Sequence, residues 1–339
     1  MSKKRIETNP EIKPKKLEEF KLFEVFKIPI IKSALRKSHN NKLSEEEITK
    51  AFSALLFEIN MRCPEYSLAV IRDKEQIRKT GIFKYSGQSE TLTNEGLMPK
   101  YICNKLLEYN IDRHIGPSYL KLKGLLTEEK IRKFFGEQLA YFIGDYLNKN
   151  PIDKEGFIVI IPNMTGGAWI ADETRRQLTK NSSIYKIWPA TPYMRAPREL
   201  SDLKRSDIKL SDYVEGFLPN PKDTSMIICF EDMVNTAEMS KNAIEFYKRV
   251  GYNSSSRVKY LVAAVFDYEH IAAIKRFTDL DAVCVSLVKG RNYFKVAKYQ
   301  NYITETQYST AIDWLVDPWN FTKNIMPFIK INRNIKQGD

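Results

Sequence analysis

The sequence predicts an α/β protein built on a parallel sheet with helices on both faces. Three observations carry that expectation. Short apolar runs without polar alternation recur at 157–161 (FIVII), 226–230 (MIICF), 258–266 (VKYLVAAVF) and 282–288 (AVCVSLV), as strands buried on both sides require. Helical segments separate them, and such alternation argues for crossover connections within one parallel sheet. The chain of 339 residues is 43% hydrophobic and 12% aromatic, enough for a sizeable core, which excludes an intrinsically disordered protein.

Taken in order, the chain opens on a basic arm. Residues 1–16 carry six Lys/Arg against two Glu. Leu17 to Lys27 is rich in Leu and Phe and reads as helical until Pro29 stops it. Ser44 and Glu47 have the spacing of a capping box. Behind them Ile48, Phe52, Leu55, Leu56 and Ile59 fall on one helical face, and Pro64 closes the segment. Residues 1–75 are therefore expected to form a basic, partly helical extension. Ile131, Phe134, Phe135, Leu139, Phe142, Ile143 and Leu147 mark one long helix face ahead of the first buried strand. After that strand the reading places a glycine-containing loop, a helix over about 168–180 and a strand over Tyr185–Ala190. The strand at 226–230 leads to a helix over 236–250 ending near Gly251. A further helix to about 277 precedes the last strand. The core is thus assigned to 76–290, and 291–339 to a C-terminal extension docked by Trp314 and Trp319.

Composition narrows the function classes. The formal charge of +12 favours anionic partners such as phosphates or nucleic acid, and part of it is local to the N-terminal arm. No run approaches the ~18–20 apolar residues of a membrane span, so no membrane partner is expected. The start of the chain is too polar for a secretory signal. Cys63, Cys103, Cys229 and Cys284 form no C-x-x-C, which argues against a zinc ribbon or a disulfide framework. Cys229 and Cys284 lie in apolar runs and read as buried thiols of a cytoplasmic protein. His39, His114 and His270 have no metal-ligand spacing.

In parallel sheets ligands bind beyond the carboxyl ends of the strands, so the loops after Ile161 and Phe230 are the places to look for chemistry. In IICFEDMVNTAEMS (227–240), four apolar residues end in the acids Glu231 and Asp232, followed by a turn and a helix start. Carboxylates placed there can accept hydrogen bonds from sugar hydroxyls or hold a hydrated Mg²⁺. The helix start offers free N–H groups and a positive dipole end, which suit a phosphate. Read alone, the acidic pair fits a solvated strand end better than a site, and Gly166–Gly167 is a weak signal, since many strand–helix turns contain glycines.

Five pieces in order resemble the type I phosphoribosyltransferase family, and their order is most similar to that of orotate phosphoribosyltransferases. The acidic pair and its turn resemble the family's 5′-phosphate fingerprint. IIPNMTGG (160–167) resembles its pyrophosphate loop. Tyr193–Met194–Arg195 resembles a Y-x-R strand end, and Val214–Glu215–Gly216 the (I/V)-E-G that follows a mobile loop. Phe83–Lys84–Tyr85–Ser86–Gly87 and Pro117–Ser118–Tyr119 resemble two halves of a hood motif split by an insertion. The resemblance spans about residues 80–290. It implies a phosphoribosyltransferase-like, Rossmann-type core with a hood subdomain, besides the helical N-terminal extension.

The resemblance also implies roles. The donor would be phosphoribosyl pyrophosphate with Mg²⁺, and the acceptor a nitrogenous base. Glu231 and Asp232 would hold the ribose hydroxyls, with Asp232 near the metal. Met164, Thr165, Gly166 and Gly167 would bind pyrophosphate, and Arg195 with Lys204 and Arg205 would neutralise it as it leaves. Asn235, Thr236, Ala237, Glu238 and Met239 would cradle the 5′-phosphate, and Ser86, Gly87 and Tyr119 would shape the base pocket. A homodimer is an expectation of the same kind.

The departures define an alternative. The family's phosphate loop is typically T-T-G-G-(S/T), and here only Thr236 is kept. Ala237 lacks the close backbone approach of glycine, and Glu238 puts a carboxylate where phosphate should sit. Asn235 and Glu238 also have capping-box spacing, so the helix could cap itself and consume its own donors. Tyr85 replaces a lysine of the hood motif, which leaves the base open. The alternative reading is a degenerate phosphoribosyltransferase-fold regulator or anti-phage, retron-type effector. It would bind a nucleotide, and its basic N-terminus would contact nucleic acid or a protein partner.

Overall fold

The apolar runs become the strands of one five-stranded sheet in the computed structural model, which describes residues 24–39, 41–62, 68–80, 83–85, 97–99, 114–122, 124–194, 209–253, 257–325 and 330–332. The N-terminal part contains α1 (Pro29–Ser38), α2 (Glu45–Arg62), β1 (Leu68–Ile71), α3 (Lys74–Thr80), β2 (Phe83–Tyr85), β3 (Leu97–Pro99), β4 (His114–Gly116) and β5 (Ser118–Lys121). Then come α4 (Glu129–Lys149), β6 (Phe157–Pro162), α5 (Met164–Asn181), β7 (Lys186–Ile187), β8 (Tyr193–Met194), β9 (Val214–Glu215) and β10 (Thr224–Val234). The chain continues through α6 (Glu238–Arg249), β11 (Lys259–Asp267), α7 (Ile271–Asp279), β12 (Ala282–Lys289), α8 (Gly290–Tyr299), α9 (Glu305–Val316), α10 (Pro318–Ile325) and β13 (Lys330–Asn332).

The main sheet has the order β12-β11-β10-β6-β7, and every neighbouring pair is parallel. Numbered along the chain, these five strands stand 2-1-3-4-5, so the order reverses between β6 and β10. Alternate residues of each strand feed two different cores. Ile158, Ile160, Met226, Ile228 and Phe230 pack into one with residues of α2, α4, α5, α8 and α9. Val159, Ile161, Ile227 and Cys229 pack into the other with residues of α6 and α7. Both faces exclude water, which is why the strands show no polar alternation.

Around this sheet the capping box of α2 forms as expected: Glu47 N–H donates to Ser44 Oγ at 3.2 Å and Ser44 N–H to Glu47 Oε2 at 3.1 Å. Its apolar face, Ile48, Phe52, Leu55, Leu56 and Ile59, is buried in the first core, and so are Ile131, Phe134, Phe135, Leu139, Ile143 and Leu147 of α4. Small antiparallel pairs, β1 with β5 and β2 with β4, lie N-terminal to α4. The second pair sets Phe83 opposite Gly116, the residue before Pro117, whereas Ser118 and Tyr119 of the other hood piece pair with Ile71 and Val70 of β1. Trp314 is fully buried, with ring centroids 5.1 Å from Tyr268 and 4.3 Å from His270; the Trp319 side chain lies outside the described residues. Among the described residues, no helix is long and apolar enough to cross a membrane.

Four boundaries differ from the sequence reading. Pro29 begins a helix instead of stopping one, because its ring and missing N–H suit the first helical position; most of the segment before it lies outside the described residues. The expected glycine-containing loop at 162–168 is not formed, since α5 starts at Met164 directly after Asn163. The strand expected over Tyr185–Ala190 contracts to Lys186–Ile187, and Pro189 has no N–H with which to continue pairing. Finally, β10 does not end at Phe230: Glu231, Met233 and Val234 stay paired with β11. The acidic pair is therefore part of the central strand.

Candidate functional site

The reversal between β6 and β10 separates the helices that leave their carboxyl ends, and such a point is where open parallel sheets bind ligands. Asn163 terminates β6 there, buried at 4% exposure. Its N–H donates to Phe230 O at 2.8 Å, and its Nδ2 to Glu231 Oε1 at 3.5 Å. Ser240, in the first turn of α6, donates its hydroxyl to the same Glu231 oxygen. Burial pushes the Glu231 carboxyl up to about 7, against the opposing pull of these hydrogen bonds, with the charges of Asp232 and Asp267 adding to the rise. Asp267 ends β11 in register with Val234 and is itself pushed up to about 6, chiefly by burial. Asp232 remains partly exposed and accepts the Met233 N–H at 3.0 Å. The two acids differ in the partners shown for them: Glu231 accepts from Asn163 and Ser240 on neighbouring elements, whereas Asp232 accepts from the adjacent Met233 N–H.

Two helices begin at this edge. The first turn of α5 contains Met164, Thr165, Gly166 and Gly167; the side chains of Met164 and Thr165 lie outside the described residues. Gly167 lets the helix press onto β10. A Cβ there would lie 2.3 Å from Phe230 O and 3.2 Å from Glu231 N. The second helix, α6, starts at Glu238, with Met239 next and Ala237 as its N-cap residue. The expected Asn235–Glu238 capping box does not form, because the cap residue is Ala237 and no side chain caps the helix. Ala237 instead takes φ 59°, the left-handed conformation that favours glycine. The Oδ1 of Asn235 is buried without a hydrogen-bond partner. Thr236 is buried, and its carbonyl accepts a hydrogen bond from Arg276 Nη1 of α7.

The strands that flank the 195–213 segment also meet here. Tyr193–Met194 pairs antiparallel with Val214–Glu215, and Met194 makes a parallel bridge to Asn163. Arg195, Lys204, Arg205, Ser86 and Gly87 lie outside the described residues. Tyr119 occupies β5 opposite Val70, away from β10 in the strand pairing, and its side chain is likewise not described.

No protein-family model matches the chain, and no curated protein matches it. Solved structures with similar folds do exist. UMP synthase of Leishmania donovani is 16% identical over 63% of this chain, with a TM-score of 0.40; the chain spans 41% of that protein's length. Adenine phosphoribosyltransferase of Leishmania donovani is 10% identical over 69% of this chain and 82% of its own, with a TM-score of 0.32. The adenine phosphoribosyltransferase of Trypanosoma brucei, solved with AMP, pyrophosphate and ribose 5-phosphate, is 10% identical over 65% of this chain and 82% of its own, with a TM-score of 0.33.

The donor set limits what metal could sit at this edge. Among the described residues, no cluster of three metal-ligating side chains exists. Besides Glu231, which Ser240 and Asn163 hold, the other carboxylate in this stretch of β10 is the partly exposed Asp232. That set does not make an all-protein cage. It fits a hydrated Mg²⁺ held mainly by a ligand's phosphate oxygens, which is how that ion is commonly bound. Asn163, Ser240 and Arg276 were not singled out by the sequence. The only sequence signal for Asn163 is a polar residue ending an apolar strand, and for Ser240 a hydroxyl one turn into the following helix.

Proposed function

We propose that the chain binds phosphoribosyl pyrophosphate at the β6/β10 reversal and transfers the phosphoribosyl group to or from a nitrogenous base. The observation that carries the reading is the meeting of an acidic pair in the last paired residues of the central strand with two helix N-termini at one topological switch point. Helix N-termini favour anions through free N–H groups and the dipole. The starts of α5 and α6 would receive the pyrophosphate and the 5′-phosphate, leaving the ribose across Asp232. Asp232 would accept hydrogen bonds from the ribose hydroxyls and favour positive charge developing on the ring. Mg²⁺, where bound beside Asp232, would help neutralise the departing pyrophosphate. Arg195, Lys204 and Arg205 would add cationic charge from the 195–213 segment, whose flanking strands meet next to Asn163. Catalysis of this kind is mostly positioning and electrostatics.

Calorimetric titration with phosphoribosyl pyrophosphate and Mg²⁺ tests the reading. The wild-type chain is expected to bind, and Asp232→Asn to bind about tenfold more weakly, as loss of a charge-assisted hydrogen bond implies. No binding by the wild-type chain would remove the reading. A second reading, binding without transfer in a regulator or effector, is favoured by the engagement of Glu231 with Ser240 and by Glu238 at the start of α6. Binding with no release of pyrophosphate across a panel of purine and pyrimidine bases would select it.

A further inference from the structure

We infer that Arg276 is a positioning residue for the candidate phosphate turn, holding the glycine-free segment 235–237 so that the first turn of α6 stays open to an anion. The inference rests on the function proposed above and deepens it. It starts from a problem the turn poses. Ala237 is 3% exposed and sits in the left-handed region, where a Cβ is unfavourable. Such a conformation persists only when its surroundings over-determine it. The N-cap residue cannot supply the restraint, since the alanine side chain makes no hydrogen bond, and the buried Oδ1 of Asn235 is unpartnered.

A restraint comes from another element. Arg276, in the last turn of α7, reaches the carbonyl of Thr236 with Nη1 at 2.5 Å. The guanidinium is substantially buried, and that burial pushes its pKa down. A cation is costly to bury, so hydrogen bonds to it from fixed acceptors are strong. The bond also has a directional consequence. In a trans peptide the C=O and the following N–H point in opposite directions, and the described chain has no cis peptide. Fixing the Thr236 oxygen on Arg276 therefore turns the Ala237 N–H away from α7. That N–H joins the uncapped donors at the start of α6, where the fingerprint of the family would use glycines.

The test separates the two ends of the proposed ligand. Ribose 5-phosphate and inorganic pyrophosphate, each with Mg²⁺, are titrated calorimetrically into wild type, Arg276→Met, Arg276→Lys and the double variant Arg276→Met/Ala237→Gly. Arg276→Met is expected to weaken ribose 5-phosphate by about tenfold or more, the scale of one charge-assisted hydrogen bond. Pyrophosphate, assigned to the start of α5, should change by less than about twofold. Arg276→Lys should recover part of the loss. The double variant should recover most of it, because glycine adopts the turn without the clamp. Unchanged ribose 5-phosphate binding in Arg276→Met overturns the inference. So does an equal loss for both ligands, which marks a merely structural role. If the wild-type chain binds neither ligand, the function proposed above falls, and this inference with it.

Discussion

Glu231 is a carboxylic acid whose environment changes its chemistry. Its carboxyl is raised from the ordinary range to about 7, and Asp267 to about 6, with burial the leading cause of both. The sign follows from proton linkage. Between the ordinary carboxylate range and about 7 the folded chain binds more protons here than the unfolded chain. Stability should therefore be greatest at the acid end of that window and fall as pH rises through it, then level off. Glu231→Gln should flatten the part of the slope nearest neutrality, read as Tm against pH from about 5 to 8; an unaltered slope would assign it to other groups. Ala237 invites a second measurement. Ala237→Gly should stabilise the chain by about 1 kcal/mol in chemical denaturation, since it relieves a left-handed alanine. The acidic pair was legible because two charges interrupt an apolar run. Asn163 and Arg276 were not, because their partners Glu231 and Thr236 lie 68 and 40 positions away. The capping box expected at Asn235–Glu238 failed for a related reason: spacing alone cannot tell which residue takes the cap conformation, and here Ala237 does.

Among the elements, the strands and long helices were legible because each buries a continuous apolar face. Their ends were set by neighbours. β10 outruns its apolar stretch because β11 offers backbone partners as far as Asp267. α5 starts early because Gly167 admits it against β10. That contact makes two glycines in neighbouring helices behave oppositely. At Gly167 a methyl would meet the Phe230 carbonyl at 2.3 Å, and backbone cannot yield cheaply. Gly167→Ala should lower stability by about 1–3 kcal/mol, as overpacking does, and disturb the start of α5. Gly144 lies inside α4, and a Cβ there would meet nothing within 4 Å. Gly144→Ala should raise stability by about 0.5–1 kcal/mol through helix propensity. Thermal denaturation of the two variants side by side checks the contrast. Equal effects would mean that helix propensity alone, and not the approach of α5 to β10, sets the value of Gly167.

At the scale of the whole molecule, the first core is continuous from Val25 to Phe321 and joins the sheet to helices before and after it in the chain. Phe52 shows how. From α2 its ring meets Phe135 of α4 at 5.8 Å, Phe266 of β11 at 5.7 Å and Tyr293 of α8 at 5.9 Å. One fully buried side chain thus links the N-terminal helices, the sheet and a helix beyond residue 290. The basic, helical start of the chain and the limits of the resemblance suggested extensions at both ends. They could not show that α2 and α8 to α10 supply one side of the sheet's own core, because a shared core is a property of contacts between distant segments. If those segments fold with the sheet, cutting the link should weaken all of them together. Phe52→Ala is expected to cost about 3–5 kcal/mol, the scale for emptying a buried aromatic site, and to lower Tm by roughly 5–15 °C. The transition should stay single, with circular dichroism and tryptophan fluorescence coincident, since Trp314 lies buried in the same core. Two resolved transitions in the variant, with the sheet melting near the wild-type temperature, would show instead that the flanking helices unfold as a separate unit.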